Sequence, residues 1–396
     1  MDNRLIAVPP LPRHELRKEG LEWFVADENE GYFSDDFVKV TRQELDNLRT
    51  ASAELFGLAM EAARRIVDRK EWKDAGIPKH ARSLIAYSLQ HESDNYLVGR
   101  FDFAGGIESM PIKMLEINAD TCSMMPETAL IQELYWELES DQLKNRPFNL
   151  LIHGLKQKLQ KLLEQNPDKA ANLLVTTFGY EEDVLNMRVI ERAARMAGFT
   201  QITHSTLDEV IFSPDEGIFM ESKTGEYTRY DFWYKFTPWD IIANDEPELW
   251  DILENIVRNR LCIIMNPAYS MLLQSKVIMK VMHDLFPRHV NLLKTSLKAH
   301  DFYDYKYVRK PIFGRVGENI SFHNGSKKPE YETEGDFGDQ KSVYQELADF
   351  NEDHEEHRYQ PSIYWTGEAC ALCFRRQDDL IIDDDAEFVG HIVTPE

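Results

Sequence analysis

The sequence predicts an α/β fold built from α+β lobes, and three stretches carry this prediction. Residues 97–103 and 111–118 alternate polar and apolar side chains around a glycine-containing turn, which is typical of a β-hairpin. Residues 172–206 follow the pattern strand, helix, strand, which predicts a parallel βαβ unit. Residues 42–70 carry an apolar stripe at helical spacing, which predicts one long amphipathic helix.

The bulk composition limits the possible functions. The chain has 396 residues, 43% of them hydrophobic, which suits two or three domains. Its net charge of −24 argues against a nucleic-acid partner and permits a cationic substrate, although an ordinary acidic surface explains the charge equally well. Four cysteines form no disulfide framework, and the sequence lacks both a signal peptide and an apolar run that could span a membrane. We therefore expect a cytoplasmic protein.

The first half of the chain predicts mostly helices around the hairpin. Thr41 and Glu44 form a capping box that starts the long helix. Further elements are expected in this order: a helix near 79–92, the hairpin, helices over 127–139 and 150–164, a strand over 172–178, a helix over 183–197 that ends at Gly198, and a strand over 200–206.

The second half predicts a separate lobe. An aromatic-rich strand covers 227–236, and a boundary between lobes is expected near 236–247. Then follow a strand over 261–265, a helix over 275–285, and strands from 307 and over 344–347. The expected division is a helical segment over 1–95, a substrate lobe over 96–240 and a nucleotide lobe over 241–396.

One face of the hairpin carries the residues with most chemical potential. Because side chains alternate along a strand, Arg100 and Asp102 share one face, and so do Glu116 and Asn118. Phe101, Phe103, Leu115 and Ile117 are expected on the opposite, core-facing side. Two carboxylates and an amide oxygen suit Mg²⁺, and the arginine suits an anion held beside it. A solvated hairpin face with ordinary ion pairs gives the same pattern.

Other motifs allow two interpretations. Gly314 and Gly317 could bring backbone N–H groups close to a phosphate, or could form a plain turn. Glu181 and Glu182 follow a predicted strand and could hold an amine, or could simply be acids at a helix start. His354 and His357 do not have zinc-site spacing and are expected in a solvated loop. Cys370 and Cys373 lie in an apolar strand pattern and are expected to be buried thiols without a catalytic part.

Two hairpin motifs resemble a known family. Gly99-Arg-Phe-Asp102 and Leu115-Glu-Ile-Asn-Ala-Asp-Thr121 are similar to the signature of the glutathionylspermidine synthases, in their synthetase half. The resemblance implies that Asp102, Glu116 and Asn118 hold Mg²⁺, as two ions, at the ATP phosphates. It also implies that Arg100 stabilises the transferring phosphoryl group.

The resemblance continues through the second half of the chain. It implies an ATP site made of the residues Arg100, Phe101, Asp102, Lys276, Lys310, Gly314, Arg315, Val316, Gly317, Gln345, Glu346, Leu347 and Arg375. It implies substrate contacts from Asp120, Thr121, Glu181 and Glu182. Because the metal carboxylates precede the nucleotide lysines, the implied fold is a permuted ATP-grasp-like synthetase with a pre-ATP-grasp-type substrate lobe. The segment 314–340 is expected to be a mobile lid.

The implied function is an ATP-dependent acid–amine ligase that forms an amide through an acyl phosphate. Its partners would be ATP, a small carboxylic acid such as a glutathione-like acid, and a small amine such as a polyamine. The family's amidase domain is not expected in this chain. Val316 replaces the family's acid in the glycine loop, and residues 122–126 depart from its glutathione-holding segment. A non-catalytic ATP-binding protein and an amino-acid or peptide ligase are the alternatives.

Overall fold

The computed structural model describes residues 1–26, 29, 31–383 and 385–395. Helices of very different lengths connect and cover the sheets. Their bounds are α1 Arg13–Lys18, α2 Arg42–Arg69, α3 Arg82–His91, α4 Gln132–Leu138, α5 Ser140–Leu143, α6 Leu151–Gln165, α7 Glu181–Ala197, α8 Trp239–Asp245, α9 Pro247–Arg258, α10 Ser270–Gln274 and α11 Val277–Leu285. One turn of π-helix, Glu127–Ile131, leads into α4.

The strands are distributed along the whole chain. Their bounds are β1 Leu5–Ala7, β2 Phe33–Thr41, β3 Gly99–Ala104, β4 Lys113–Asn118, β5 Asn172–Thr177, β6 Gln201–Thr206, β7 Val210–Ser213, β8 Gly217–Glu221, β9 Tyr227–Tyr230, β10 Phe232–Lys235, β11 Ile263–Met265, β12 Thr295–Ser296, β13 Lys306–Pro311, β14 Ser321–Asn324, β15 Tyr331–Glu332, β16 Ser342–Glu346, β17 Asn351–Glu352, β18 Arg358–Trp365, β19 Ala369–Gln377 and β20 Glu387–Thr394.

The largest sheet joins both ends of the chain to the hairpin. Its strand order is β1-β2-β20-β19-β18-β3-β4, with β17 paired to β18. The pairs are antiparallel except β2 with β20. Strand β18, from the end of the sequence, hydrogen-bonds directly to β3 of the hairpin. Contacts that are very distant in sequence therefore fix the position of the hairpin.

A second sheet is fully parallel, with the order β11-β10-β5-β6. It contains the predicted βαβ unit, because β5 and β6 pair in parallel and α7 connects them. The helix ends at Gly198, whose φ of +107° is the left-handed conformation expected there. A third sheet, β12-β16-β13-β14-β15, is antiparallel and lies near the predicted nucleotide loop.

Helix α2 forms much of the core. Its capping box is present, since the Glu44 N–H donates to Thr41 Oγ1 at 3.2 Å and the Thr41 N–H donates to Glu44 Oε2 at 2.8 Å. Leu45, Leu48 and Leu55 on its apolar stripe are fully buried. The prediction of a core-forming helix over 42–70 is confirmed.

The predicted strand over 227–236 is wrong as a single element. Two strands occupy it, with β9 in a small antiparallel sheet and β10 in the parallel sheet. The chain changes sheets at Asp231, whose N–H donates to Asn172 Oδ1 at 2.7 Å and whose Oδ2 accepts from the Ala170 N–H at 2.8 Å. These polar contacts hold a bend that the aromatic pattern alone did not indicate.

A β-bulge changes one side-chain assignment in the hairpin. The pairing shifts between Asp102 and Phe103, so that Phe103 lies opposite Met114. Met114 takes the buried position, whereas Leu115 is half-buried and lines a cavity. The expectation that Leu115 anchors the core was therefore wrong, because strict alternation does not hold across a bulge.

The cysteines of the apolar strand β19 are buried, as predicted. Burial raises the pKa of both the Cys370 and the Cys373 thiols to about 12. In the part of the chain that the structure describes, no helix is both long enough and apolar enough to cross a membrane.

Candidate active site

The polar face of the hairpin forms one connected cluster. Strands β3 and β4 place Arg100 opposite Asn118 and Asp102 opposite Glu116. Asn118 Nδ2 lies 2.8 Å from Asp102 Oδ2 and 3.4 Å from Glu116 Oε1. One amide thus bridges two carboxylates, as the sequence pattern predicted for these four residues.

Asp102 is held by Arg100 and Ser362 in addition to Asn118. Arg100 donates to it twice, from Nε to Oδ1 at 2.8 Å and from Nη2 to Oδ2 at 3.0 Å. Ser362 Oγ, on the neighbouring strand β18, donates to Oδ1 at 2.8 Å. Both Arg100 and Asp102 are buried. Because its partners fix its orientation, the Asp102 carboxylate is preorganised.

Two buried lysines face the other carboxylate. Lys276 Nζ lies 2.9 Å from Glu116 Oε2 and donates to the Gly314 carbonyl at 2.7 Å. Lys310 Nζ donates to Gln345 Oε1 at 2.8 Å. Burial opposes ionisation of Glu116, but the two ammonium groups outweigh it and lower the pKa of Glu116 to about 2. Burial lowers the pKa of Lys310 to about 8, against the attraction of Glu116.

Glu116, Lys276 and Lys310 line a cavity whose walls also include several apolar side chains. Ten predicted residues line it, namely Glu116, Lys276, Lys310, Gly314, Arg315, Val316, Gly317, Gln345, Glu346 and Leu347. The sequence analysis missed the apolar walls, which include Val308, Ile320, Phe350 and Ile381. Val308 could have been found, because it lies two residues before Lys310 on the same strand and therefore on the same face.

Four predicted nucleotide residues, namely Arg100, Phe101, Asp102 and Arg375, lie outside this lining. The Phe101 side chain points to the opposite face and packs against Phe103 and Trp365 in the core, so it does not reach the cavity. Arg100 does not line the cavity and is connected to the site by its ion pair with Asp102. Arg375 lies on the same face of the sheet as Asp102, because it pairs with the cavity residue Gln360 on β18. Its guanidinium donates to the Asp383 and Ala386 carbonyls.

The glycine loop is anchored by an ion pair that the sequence did not indicate. Arg315 pairs with Asp240 on α8 and donates to the Phe313 carbonyl at 3.2 Å. Burial raises the pKa of Asp240, and the nearby Arg315 opposes this. Gly317 has a φ of +74°, and a Cβ there would lie 2.7 Å from Asp383 Cβ, so only glycine fits. Val316 is 52% exposed and leaves the loop without an acid at this point.

Asp120 lies inside the core and not on the cavity wall. Its Oδ1 accepts from Lys235 Nζ at 2.7 Å and from Ser270 Oγ at 2.9 Å, and its Oδ2 accepts from the Trp239 N–H at 2.6 Å. Its carboxylate joins the end of the hairpin to the parallel sheet and α8. Thr121, the next residue, is half-buried.

An acidic group lies on the other side of Arg100. Glu181 and Glu182 begin α7, with Glu181 exposed and Glu182 half-buried. The sequence analysis missed Glu127, which is fully buried and accepts from Tyr32 Oη at 2.6 Å through Oε1. Burial, with Glu182 nearby, raises the pKa of Glu127 to about 7, while Arg100 opposes the shift. Within the described residues, Glu127 Oε2 has no hydrogen-bond partner.

The oxygen cluster fits Mg²⁺ by its donor chemistry. Asp102 and Glu116 supply carboxylate oxygens from adjacent strand positions, and Asn118 would present its amide oxygen after a flip of the amide that now points Nδ2 at both carboxylates. Mg²⁺ characteristically completes its shell with water and phosphate oxygens. Among the described residues, no group of three or more His, Cys, Asp or Glu side chains is placed so that it could hold a metal ion.

The fold and this site together define a class of protein. A mixed α/β chain carries a cavity lined by two buried lysines, a glutamate, a glycine loop and apolar side chains, and these groups suit a phosphate-bearing ligand. Residues 4–394 match the family described as glutathionylspermidine synthase preATP-grasp, and the chain belongs to that family.

Similar proteins give the same class. The chain is 23% identical over 397 residues to a Haemophilus influenzae protein provisionally named an acid–amine ligase, covering 96% of each chain. It is 24% identical to the bifunctional glutathionylspermidine synthetase/amidase of Escherichia coli, covering 68% of this chain and 45% of that enzyme. It is 24% identical to the trypanothione synthetase of Crithidia fasciculata, covering 73% of this chain and 46% of that enzyme. The chain thus spans about half the length of these two enzymes.

One solved structure shows the shared fold. A glutathione synthetase-like effector from Globodera pallida superposes with a TM-score of 0.58 at 10% identity, covering 98% of this chain and all of that one. The family consists of ATP-dependent carbon–nitrogen ligases, and the protein is an enzyme of this class.

Proposed function

We propose that this protein joins a small carboxylic acid to a small amine, with cleavage of ATP to ADP and phosphate through an acyl phosphate. The observation that carries the proposal is the position of Lys276. Its ammonium group lies 2.9 Å from Glu116 and 2.7 Å from the Gly314 carbonyl, so it connects the oxygen cluster to the glycine loop. Phosphate oxygens placed there would contact both parts of the site.

Each group has a distinct task in the first step. A carboxylate oxygen of the acid attacks the γ-phosphorus, and ADP leaves. Lys276 and Lys310 hold the phosphate oxygens, and Arg100 stabilises the charge that develops on the transferring phosphoryl group. Asp102, Glu116 and Asn118 would hold Mg²⁺, as two ions, which when bound neutralises phosphate charge. Arg375 lies on the same sheet face and would support Arg100.

In the second step the amine nitrogen attacks the acyl carbon, phosphate leaves, and the nitrogen loses a proton. The acidic group of Glu127, Glu181 and Glu182 supports a position for this amine, because carboxylates attract an ammonium group and Glu127 has an oxygen without a partner in the described chain. A substrate with several ammonium groups, such as a polyamine, would use more than one of these carboxylates. Asp120, expected to contact a substrate, is instead bonded within the core through both carboxylate oxygens, so only Thr121 remains a candidate for the acid site.

Exclusion of water is the remaining requirement, because hydrolysis of the acyl phosphate is the competing reaction. The lid segment (residues 314–340) supplies the cover in our proposal. Arg315 on this segment reaches Asp240 on α8, so the segment contacts the body of the protein beside the cavity. A closed lid would separate the reacting groups from bulk solvent.

The test is a matrix of acids and amines assayed for ADP release, with mass spectrometry of the products. Glutathione-like acids paired with polyamines come first, and amino acids as amines form the second set. We expect ADP and an amide only when both substrates are present, and neither with a Glu116→Gln variant. Amide formation only with amino acids would favour a peptide ligase. ATP binding without cleavage across the whole matrix would instead favour a non-catalytic ATP-binding protein.

A further inference from the structure

A second cleft lies beside the nucleotide loop and shares no lining residue with the cavity described above. Its cationic side chains are Lys73, Lys79, Arg82 and Lys341, and its lining contains no aspartate or glutamate. In the part of the chain that the structure describes, none of these four cations lies within 4.0 Å of a carboxylate. For a protein with a net charge of −24, such a grouping requires an explanation.

Placing these four cations around one cleft has an electrostatic cost. Like charges that share a cleft repel one another, and an anion between them would replace repulsion by attraction. Arg82 Nη2 donates to the Ile77 carbonyl at 3.5 Å, whereas the buried Nε has no hydrogen-bond partner among the described residues, so this guanidinium is only partly satisfied. Lysines supply movable point charges, and an arginine supplies a planar set of donors. This combination suits a small anion with several charges and several acceptor oxygens.

The cleft also touches both ends of the lid segment. We call residues 312–313 and 340–341 the lid neck. The Ile312 N–H donates to the Lys341 carbonyl at 2.9 Å, and the Phe313 N–H donates to Gln340 Oε1 at 3.0 Å. The Ile312 carbonyl accepts from the Lys276 N–H at 2.8 Å. The neck is therefore one hydrogen bond away from a lysine that faces the oxygen cluster.

The opposite wall of the cleft contacts the neck directly. Lys341 Nζ donates to the Lys73 carbonyl at 2.5 Å. A Cβ on Gly76 would lie 2.4 Å from Ile312 Cδ1, so this glycine, with a φ of +77°, permits the close packing of the two walls. Lys79 and Arg82 belong to one wall and Lys341 to the other. An anion that bound all three would connect the wall to the lid neck.

We infer that this cleft is a binding site for a small phosphate-bearing anion, and that its occupancy stabilises the lid neck and changes nucleotide affinity. Phosphate fits better than a single carboxylate because its higher charge and additional oxygens can satisfy several cations at once. Because coupling between two sites is reciprocal, nucleotide binding would change affinity for the anion by the same factor. The site is separate from the proposed ligase chemistry and does not depend on the identity of its substrates.

Equilibrium dialysis with radiolabelled inorganic phosphate tests the inference. The catalytic cavity is kept occupied with saturating Mg²⁺ and the ATP analogue AMP-PNP, and ionic strength is held constant with sodium chloride. We expect the full chain to retain one phosphate, with a dissociation constant no weaker than about 10 mM. The variant Lys79→Gln/Arg82→Gln should bind at least about tenfold more weakly, because it loses two of the four charges.

The control Lys223→Gln/Arg195→Gln removes the same charge from exposed positions elsewhere and should bind like the parent protein. If the cleft variant melts at a lower temperature, Lys79→Gln alone, at an exposed lysine, serves as the second variant. A further readout is AMP-PNP affinity, which should change about fivefold with phosphate in the parent and the control but not in the cleft variant. Equal phosphate retention by the cleft variant and the control, or no retention by the parent, would overturn the assignment. An unchanged AMP-PNP affinity would overturn the coupling.

Discussion

Arg100 and Asp102 lie two residues apart on strand β3 and form a two-point ion pair, with Nε to Oδ1 at 2.8 Å and Nη2 to Oδ2 at 3.0 Å. The residue proposed to stabilise the phosphoryl group therefore also orients a proposed metal ligand. Removing one of the pair leaves the other buried without its charge partner, which is costly. Thermal unfolding should accordingly be measured for every substitution at this pair.

The first prediction concerns the oxygen cluster. Asp102→Asn and Glu116→Gln should each abolish the Mg²⁺-dependent part of AMP-PNP binding, because each removes an anionic oxygen from the set. Titration calorimetry with and without Mg²⁺ measures this, and thermal unfolding checks the fold. The matched control is Glu221→Gln, at an exposed glutamate at the end of β8. Full metal-dependent affinity in both cluster variants would show that the ligands lie elsewhere.

The second prediction separates chemistry from binding at Arg100. Arg100→Ala should lower turnover by about two to three orders of magnitude, which is typical of losing one preorganised charge partner in the transition state. Nucleotide affinity should change much less, because Lys276 and Lys310 remain. The turnover of Arg100→Lys should lie between that of the parent and that of Arg100→Ala, since lysine keeps the charge and loses the planar two-point contact. A loss confined to nucleotide affinity would contradict the assigned role.

The third prediction concerns the contact between Arg315 and Asp240. Asp240→Asn should weaken closure of the lid segment and raise the fraction of ATP hydrolysed without amide formation by about tenfold, because water reaches the acyl phosphate. Phosphate release and amide yield are measured in the same reaction. Glu332→Gln, an exposed carboxylate on the same segment, is the control. If the Asp240 variant still formed one amide for each phosphate released, this ion pair would not govern closure of the lid segment.

The fourth prediction follows from Lys310. Burial lowers the pKa of Lys310 to about 8, so its ammonium group is present below pH 8 and lost as the pH rises through that value. ATP-analogue affinity of the free enzyme should therefore decrease above pH 8. Lys310→Arg should remove this decrease, because arginine stays protonated. An unchanged pH profile in that variant would point to another titrating group.

The fifth prediction concerns Glu127, whose pKa burial raises to about 7. The folded state binds more protons than the unfolded state between the ordinary glutamate pKa and pH 7, so the free energy of unfolding decreases as pH rises through this window. Glu127→Gln should be more stable than the parent at pH 8 by up to about 3 kcal/mol and should lose this advantage near pH 4.

Urea unfolding at both pH values measures this difference. The same variant should have a higher KM for the amine, because it lacks the carboxylate proposed to attract an ammonium group. A stability difference that does not depend on pH would contradict the ionised, buried state of Glu127. An unchanged KM for the amine would remove Glu127 from the proposed amine site.

The sequence predicted the hairpin face well because the relevant information is local. Asp102, Glu116 and Asn118 occupy alternate positions on two adjacent strands, and a short connection brings such strands together. The register still contained an error at Leu115. A bulge adds a residue to one strand, and no turn signal in the sequence marks it.

Glu127 could not be found in this way. It lies in an apolar segment, and the sequence gives no reason to separate it from other acids at helix starts. Its partner Tyr32 is 95 residues away, and its unusual pKa arises from burial by elements that the tertiary structure brings together. The contact of Arg315 with Asp240 spans 75 residues and was equally hidden.

The sequence by itself determined the secondary structure of the long helix, the βαβ unit and the hairpin, as well as the polar residues that share one hairpin face. These follow from side-chain period and residue type, which are properties of short segments, whereas the two lysines were indicated only by the family resemblance. Only the tertiary structure decided that β18 pairs with β3, that Lys276 lies 2.9 Å from Glu116, and that four cations surround one cleft beside the lid neck. The physical reason is that long-range strand pairing and burial set these distances and pKa values, and neither is encoded in any single segment.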